Sequence, residues 1–234
     1  MIAASVKTLR IDGLETRARM KEAAQRLFAE RGIDGVSIDQ ILAAAGQRNK
    51  ASLHYHFGTK IDLVRELVVD GAMIIDVKRQ AIVDAMERDG KLTVRNIVEA
   101  LVLPVLDLYS VTGQATYLRM IANLQLNNRA LLRDALGNTW NTGYRRCTAH
   151  MTRIVKHIPK PVLQQRLSLV NIAGNALLAA WERSRDQEPE LTGFWSPEFT
   201  LENVLDAMQA MIEAPPSKET LSKLKASRTQ ARRA

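Results

Sequence analysis

An all-α fold is what this sequence predicts: a small N-terminal three-helix unit followed by a larger helical body. Two observations lead there. Twelve Gly and seven Pro in 234 residues are too few for the many tight turns of an all-β chain, while Ala and Leu dominate. Apolar residues also recur at helical spacing in one segment after another. A hydrophobic content of 46% supports a sizeable core, and the length fits one or two domains. A net charge of +8 favours a polyanionic partner. One cysteine excludes an internal disulfide framework and suits a reducing compartment. Met1 to Arg10 lacks the apolar core of a signal peptide, and the longest apolar run, near Leu101 to Leu106, is too short to span a bilayer. The expectation is a cytoplasmic protein with no membrane partner.

In chain order, residues 1–12 show no clear pattern and read as a flexible arm. Asp12 to Glu15 can cap a first helix with Met20, Ala23, Ala24, Leu27 and Phe28 inward, ended by Gly32 and Gly35. Ser37 to Ala45 reads as a short second helix, with Ile38, Ile41, Leu42 and Ala45 at helical spacing. Ser37 and Gln40 form a capping-box pattern, and Gly46 supplies the positive φ of a sharp stop. A third helix follows from about Asn49 to Tyr55, anchored by Leu53 and Phe57. Two short helices joined by a tight, glycine-containing turn make a helix-turn-helix, so residues 13–58 are the expected DNA-binding domain.

Residues 59–214 are the expected effector-binding and dimerisation domain. Thr59 to Asp62 caps a helix running to Arg88, and Thr93 starts another that Pro104 should kink. Helices are predicted over Gln114 to Asn127, over Arg129 to His157 as one piece, over Val162 to Arg185 and over Phe199 to Ala214. Asp186 to Pro197 reads as a loop with an exposed Phe194-Trp195 pair. Residues 215–234 read as a basic, disordered tail: Lys218 to Arg233 holds six Lys or Arg against one Glu.

The outward face of the helix-turn-helix carries Arg48, Asn49, Lys50, Ser52, His54 and Tyr55, side chains that reach base edges and phosphates. A solvated polar face is the plainer reading, but it does not explain Leu53, His56-Phe57 and Lys60 in one pattern. Ala45-Gly46, Leu53-His54-Tyr55-His56-Phe57, and Lys60 with Leu63 and Leu67 resemble the signature of TetR-family transcriptional regulators. The family pattern runs roughly A-G-x-x-x-x-x-L-Y-x-H-F-x-x-K-x-x-L. This chain has one extra residue between Gly46 and Leu53, and His54 stands where the family usually has Tyr. Arg48 and Asn49 suit guanine and adenine edges, because each side chain can bond two base atoms at once. Tyr55, His56, Lys60 and the Ser37 hydroxyl resemble the phosphate clamps of the family, which set register and not sequence. His56 also fits a cap or packing role.

The body offers weaker signals. Arg119, Asn123 and Asn127 share one helical stripe; Trp140, Tyr144, Cys147 and Met151 share another. Both fit an effector pocket, and both fit a solvated face or ordinary core, the commoner fate of such stripes. Asn171 and Asn175 lie four apart in the most apolar helix, facing either a dimer seam or the pocket. The tentative ligand-binding residues are thus Arg119, Asn123, Trp140, Tyr144, Asn171 and Asn175. Cys147, His150 and His157 do not converge from one helix, whereas a closed zinc site wants four ligands, so no metal and no cofactor is expected.

These readings predict a sequence-specific, non-enzymatic transcriptional regulator with three partners: double-stranded operator DNA, a small-molecule effector and a second copy of itself. The resemblance implies a repressor, released from a palindromic operator by a small, largely apolar ligand. One alternative is an architectural DNA-binding protein without an effector. Another is an all-helical enzyme such as a di-iron bundle, whose Glu-x-x-His pairs the chain lacks.

Overall fold

The computed structural model of the chain describes residues 2–112, 116–137, 139–184 and 193–231. Its architecture is built from α-helices: α1 (Ile2–Arg31), α2 (Ile38–Ala44), α3 (Ala51–Phe57), α4 (Lys60–Arg88), α5 (Val94–Thr112), α6 (Tyr117–Asn127), α7 (Arg129–Leu136), α8 (Thr142–Ile154), α9 (Lys160–Arg183), α10 (Thr200–Glu213) and α11 (Lys218–Ala231). None among the described residues is long and apolar enough to cross a membrane.

Helices α1 to α3 and the start of α4 share one core. Met20, Ala24, Phe28, Ile41, Leu53, Leu63 and Val64 are all but completely buried there. Burying each large member contributes about 1.5–3 kcal/mol. The α1 stripe of Met20, Ala23, Ala24, Leu27 and Phe28 is buried, as its spacing predicts. Both capping boxes are formed, Ser37 with Gln40 and Thr59 with Asp62.

Three stretches differ from the sequence reading. The α1 backbone is helical from Ile2, where the pattern predicts an arm through residue 12. It continues through Gly13, because a single glycine costs a helix only about 1 kcal/mol against Ala. Arg129 to His157 is not one helix: Gly137, at φ 52°, ends α7, and α8 restarts at Thr142. Lys218–Ala231 is helical where composition predicts a disordered tail, with the Ser217 hydroxyl accepting from the Thr220 N–H at its start. Most of the Asp186 to Pro197 loop, residues 186–192, lies outside the described residues. Of its aromatic pair, Phe194 is exposed, but Trp195 stacks on Trp181 with ring centroids 5.9 Å apart.

The body packs around α4 and α5. Pro104 has no N–H to offer the carbonyl four residues back, that of Ala100. Arg79 of α4 supplies the missing donor: its Nε donates to Ala100 O and its Nη2 to Leu101 O, each at 3.0 Å. Three residues earlier, the buried Asp76 carboxylate accepts from the Gly143 N–H at 2.8 Å and so caps α8 from another helix. Glu182 of α9 does the same for α6, accepting from the N–H groups of Leu118 and Arg119 at 3.2 and 3.0 Å.

Two sets of side-chain bonds tie α1 to the rest. Arg17 and Lys21 of α1 both pair with Glu66 of α4, and Lys21 also pairs with Asp70. Between α1 and α6, Gln25 Nε2 donates to Thr116 Oγ1 at 2.8 Å and Asn123 Nδ2 to the Ala29 carbonyl at 3.3 Å. Helix α6 in turn presses on α4 without a spacer: a Cβ at Gly71 would stand 2.3 Å from the Tyr117 ring. The Tyr117 hydroxyl donates to Val68 O at 2.9 Å.

The α1–α4 clamp should be acid-sensitive. Burial alone would raise the Glu66 pKa, but hydrogen bonds from Lys21 and Arg17, with their charge, outweigh it and hold the carboxyl below its ordinary 4.5. The folded state therefore favours the carboxylate. Its stabilising contribution is complete above the unfolded value and is lost as pH falls through the lower folded one. Glu66→Gln should lower the thermal midpoint near neutral pH, and the difference from the parent protein should vanish in acid. An unchanged gap across that range in a pH series of melts would contradict it.

Candidate functional site

Helix α2 ends on Ala45, and Gly46, at φ 68°, turns the chain toward α3. Leu53 (1% exposed) and Phe57 hold α3 to the core, so its opposite face is left to solvent. Tyr55 is 84% exposed and stands edge-on to His56 with ring centroids 5.0 Å apart. Arg17 of α1 lies over the inner ring, its guanidinium carbon 4.7 Å from the Phe57 centroid. Arg48 is exposed and makes no hydrogen bond or ion pair with any described residue.

The other predicted DNA contacts divide by what already occupies them. Lys50 is exposed and pairs with exposed Asp39 at 2.7 Å, a surface pair of little net strength that a phosphate can replace. Asn49 Oδ1 accepts from the Ala51 N–H at 2.9 Å, so Asn49 caps α3. Its NH2 and the second lone pair of Oδ1 remain for a base, so this bond orients the amide without using up the two-bond adenine contact. Ser52 is half-buried beside this cap. Ser37 serves α2 as its N-cap, its hydroxyl accepting from the Gln40 N–H at 3.2 Å. His54 Nδ1 donates to the Gly58 carbonyl at 2.8 Å, so in the neutral ring Nε2 is an acceptor. Only a protonated His54 would offer a phosphate a hydrogen bond.

Lys60 departs furthest from the expected clamp role. It is half-buried, and its Nζ donates to the carbonyls of Ile33 and Val36 at 3.0 and 2.9 Å. These carbonyls belong to the α1–α2 turn, which has few helical partners of its own. The ammonium therefore holds that turn, and with it the entry to α2, against the start of α4.

In the body, a cavity of about 370 Å³ opens between α4, α5, α6, α7, α8 and α9, with Met208 of α10 at one side. That is within the size range of small-molecule sites. Four of the six candidates from sequence line it: Trp140, Tyr144, Asn171 and Asn175. Asn175 Nδ2 donates to Gln125 Oε1 at 2.8 Å across the cavity wall. Both asparagines thus line the cavity. Arg119 and Asn123 do not line it. Arg119 packs beside Glu182, with Nε 3.7 Å from Oε2, and Asn123 turns toward α1 as described above. Sequence reading missed Arg79, Gln125, Arg129, Arg133 and Asn141 in the lining. Burial lowers the Arg79 pKa, against the raising effect of nearby groups such as Asp76. Cys147, pushed up to about 11 by burial, is an unreactive thiol.

Comparison with known proteins falls on the same region as the helix-turn-helix. Residues 22–67, from within α1 to within α4, match the family described as "Bacterial regulatory proteins, tetR family". The crystal structure of a TetR family transcriptional regulator, PfmR from Thermus thermophilus, is similar at 17% identity and a TM-score of 0.47, covering 86% of this chain and 96% of that one. No curated protein matches. The buried core of α1 to α4, the exposed face of α3 and the family match together define a helix-turn-helix DNA-binding regulator of transcription. The likeness to the tetR family rests on this N-terminal unit, residues 22–67.

The position of Lys60 leads to a distinct expectation for its removal. Lys60→Met should leave the Val36 carbonyl without its donor and the Ile33 carbonyl with only the Val36 N–H, and destabilise the N-terminal unit by about 1–3 kcal/mol. Denaturant unfolding would measure that loss. An unchanged stability, with only a flatter salt dependence of DNA binding, would return Lys60 to the phosphate role.

Proposed function

We propose that this regulator is a homodimeric repressor that leaves a palindromic operator when a small, largely apolar ligand fills the body cavity. The observation that carries the reading is the double use of α4. Leu63 and Val64, near its start, are fully buried in the DNA-binding core, while Ala72, Ile75 and Arg79, further along, line the cavity. A ligand that binds one placement of α4 better than another would therefore act on the recognition helix. An architectural DNA-binding protein would leave the cavity without a use, and nothing in this reading calls for catalysis.

On DNA, α3 and the turn before it would enter the major groove. Arg48 would read a base edge, and Tyr55, Lys50 and His56 would touch the backbone. DNA selected from a random pool should contain a repeated, inverted half-site. Arg48→Ala should relax preference at one position in each half, costing about 1–3 kcal/mol on the best site. A uniform loss of affinity on all duplexes would exclude Arg48 as a base reader. The ligand step has its own check through linkage: ligand and operator must weaken each other's binding by the same factor, about 5–150-fold.

The second copy would pack on α9 and α10. These two helices lie side by side, and their outer faces carry exposed Leu169, Ala173, Ala176 and Ala180 together with Ala207, Ala210 and Met211. Small residues allow two such pairs of helices to approach closely. One recognition helix reads too few base pairs for a specific affinity, which a two-fold dimer remedies. Light scattering at micromolar concentration should give twice the 26.1 kDa chain mass, and Ala176→Glu should give the monomer. A monomer mass for the unmodified protein would refute the dimer.

A further inference from the structure

The charge of the cavity wall narrows the ligand class, on the reading that this cavity is the effector site. Among its described lining residues are three arginines, Arg79, Arg129 and Arg133, and no Asp or Glu. The arginines come from α4 and α7. Arg129, Arg133, Asn141 and Tyr144 stand on α7, α8 and the turn between them, and Asn171 and Asn175 on α9, whereas α5 contributes only Leu101, Val102 and Val105, with Leu178 of α9 beside them.

The cations differ in their setting. Arg133 is exposed and lies 3.6 Å from Asp134, a loose surface pair. Arg129 is exposed at the rim and pairs with no described carboxylate. Arg79 is 9% exposed and, among the described residues, bonds only to the two α5 carbonyls, so that no described carboxylate touches its charge. Its nearest acid in sequence, Asp76, already accepts from Gly143 N–H and Gln80 Nε2. Burial raises the Tyr144 pKa, and the charges of Arg79 and Arg129 pull it back, so both guanidiniums act on this one phenol. The Asn141 Oδ1 beside them is buried without a hydrogen bond. A half-turn of that amide presents an NH2 in its place.

A buried cation without a contacting anion is costly, and a ligand that brings the anion recovers that cost on binding. A purely apolar ligand would leave the arginine side unmatched, and a cationic one would be repelled. We propose that the cavity takes an amphipathic carboxylate: its anionic end is held by Arg129 and Tyr144 with Arg79 behind them, and its apolar body lies along Leu101, Val105 and Leu178. The wall thus sets the sign of the ligand charge as well as its apolar character.

A matched probe series tests this without DNA. Decanoate, decan-1-ol and decylammonium share an apolar body and differ in the head group. Calorimetry with the full chain should show saturable binding of decanoate, with decan-1-ol at least about tenfold weaker and decylammonium weaker still. Arg129→Gln changes an exposed residue and should preserve the fold, as a thermal melt would verify. It should weaken decanoate about tenfold and leave decan-1-ol unchanged. Equal binding of alcohol and carboxylate, tighter binding of the amine, no binding of any probe, or indifference of decanoate to Arg129→Gln would overturn the proposal. Decanoate that binds as expected but leaves operator affinity unaltered would refute ligand-driven release while leaving the charge preference of the cavity in place.

Discussion

A guanidinium inserted between two helices is the contact on which the body depends. Pro104 interrupts the α5 ladder, and an unpartnered carbonyl at Ala100, buried in apolar surroundings, would cost about 1–3 kcal/mol. Arg79 removes that cost and fixes the register of α4 against α5 at the same time. The arrangement leaves little slack, because a Cβ at Gly143 would lie 3.0 Å from Arg79 Cγ. Asp76, one turn earlier in α4, then sets where α8 begins. One turn of α4 thereby orders α5 and α8 and leaves a positive charge in the wall of the space between them.

Helix ends elsewhere in the body are settled in the same way, by side chains from other helices. Thr116 gives α6 no side-chain cap; Glu182 of α9 does so, with its negative charge at the positive end of the helix. At the far end of α10, Arg166 donates to the carbonyls of Ile212 and Ala214, and His157 to that of Glu213. Each of these bonds joins an element end to a neighbour, so helix length and helix packing are not independent. A displacement of one helix would leave a buried polar group unmatched on another.

The same economy links the DNA-reading unit to the cavity. Helix α4 runs through both, and α6 reaches the unit separately through Gln25–Thr116 and Asn123–Ala29. Since the Tyr117 ring lies directly on Gly71, α4 and α6 cannot slide past each other without a side chain moving. Packed contacts of this kind favour discrete arrangements over gradual deformation. The turn before α2 is held from α4 as well, by the Lys60 ammonium. A change in the direction of α4 would thus be felt at both ends of the helix-turn-helix.

Local regularities were legible in the sequence. Helical spacing identified the buried face of α1 and, apart from the exposed Ile38, that of α2, and Ser37–Gln40 and Thr59–Asp62 marked two helix starts, because such caps are made by residues three apart in the chain. The helix-turn-helix and its likeness to the tetR family were legible for the same reason: Gly46, Leu53 and Phe57 act within one short segment. Stripe analysis also found Trp140, Tyr144, Asn171 and Asn175, which do line the cavity, but it could not separate them from Arg119 and Asn123, which do not. Periodicity tells which residues share a face of a helix; what that face meets depends on residues far away in the chain. Lys60 reads as a phosphate ligand until the Ile33 and Val36 carbonyls are seen beside it. Nothing in the sequence singles out Arg79, Asp76 and Glu182, which α5, α8 and α6 bury, since only the tertiary structure decides which backbone groups a buried charge will satisfy.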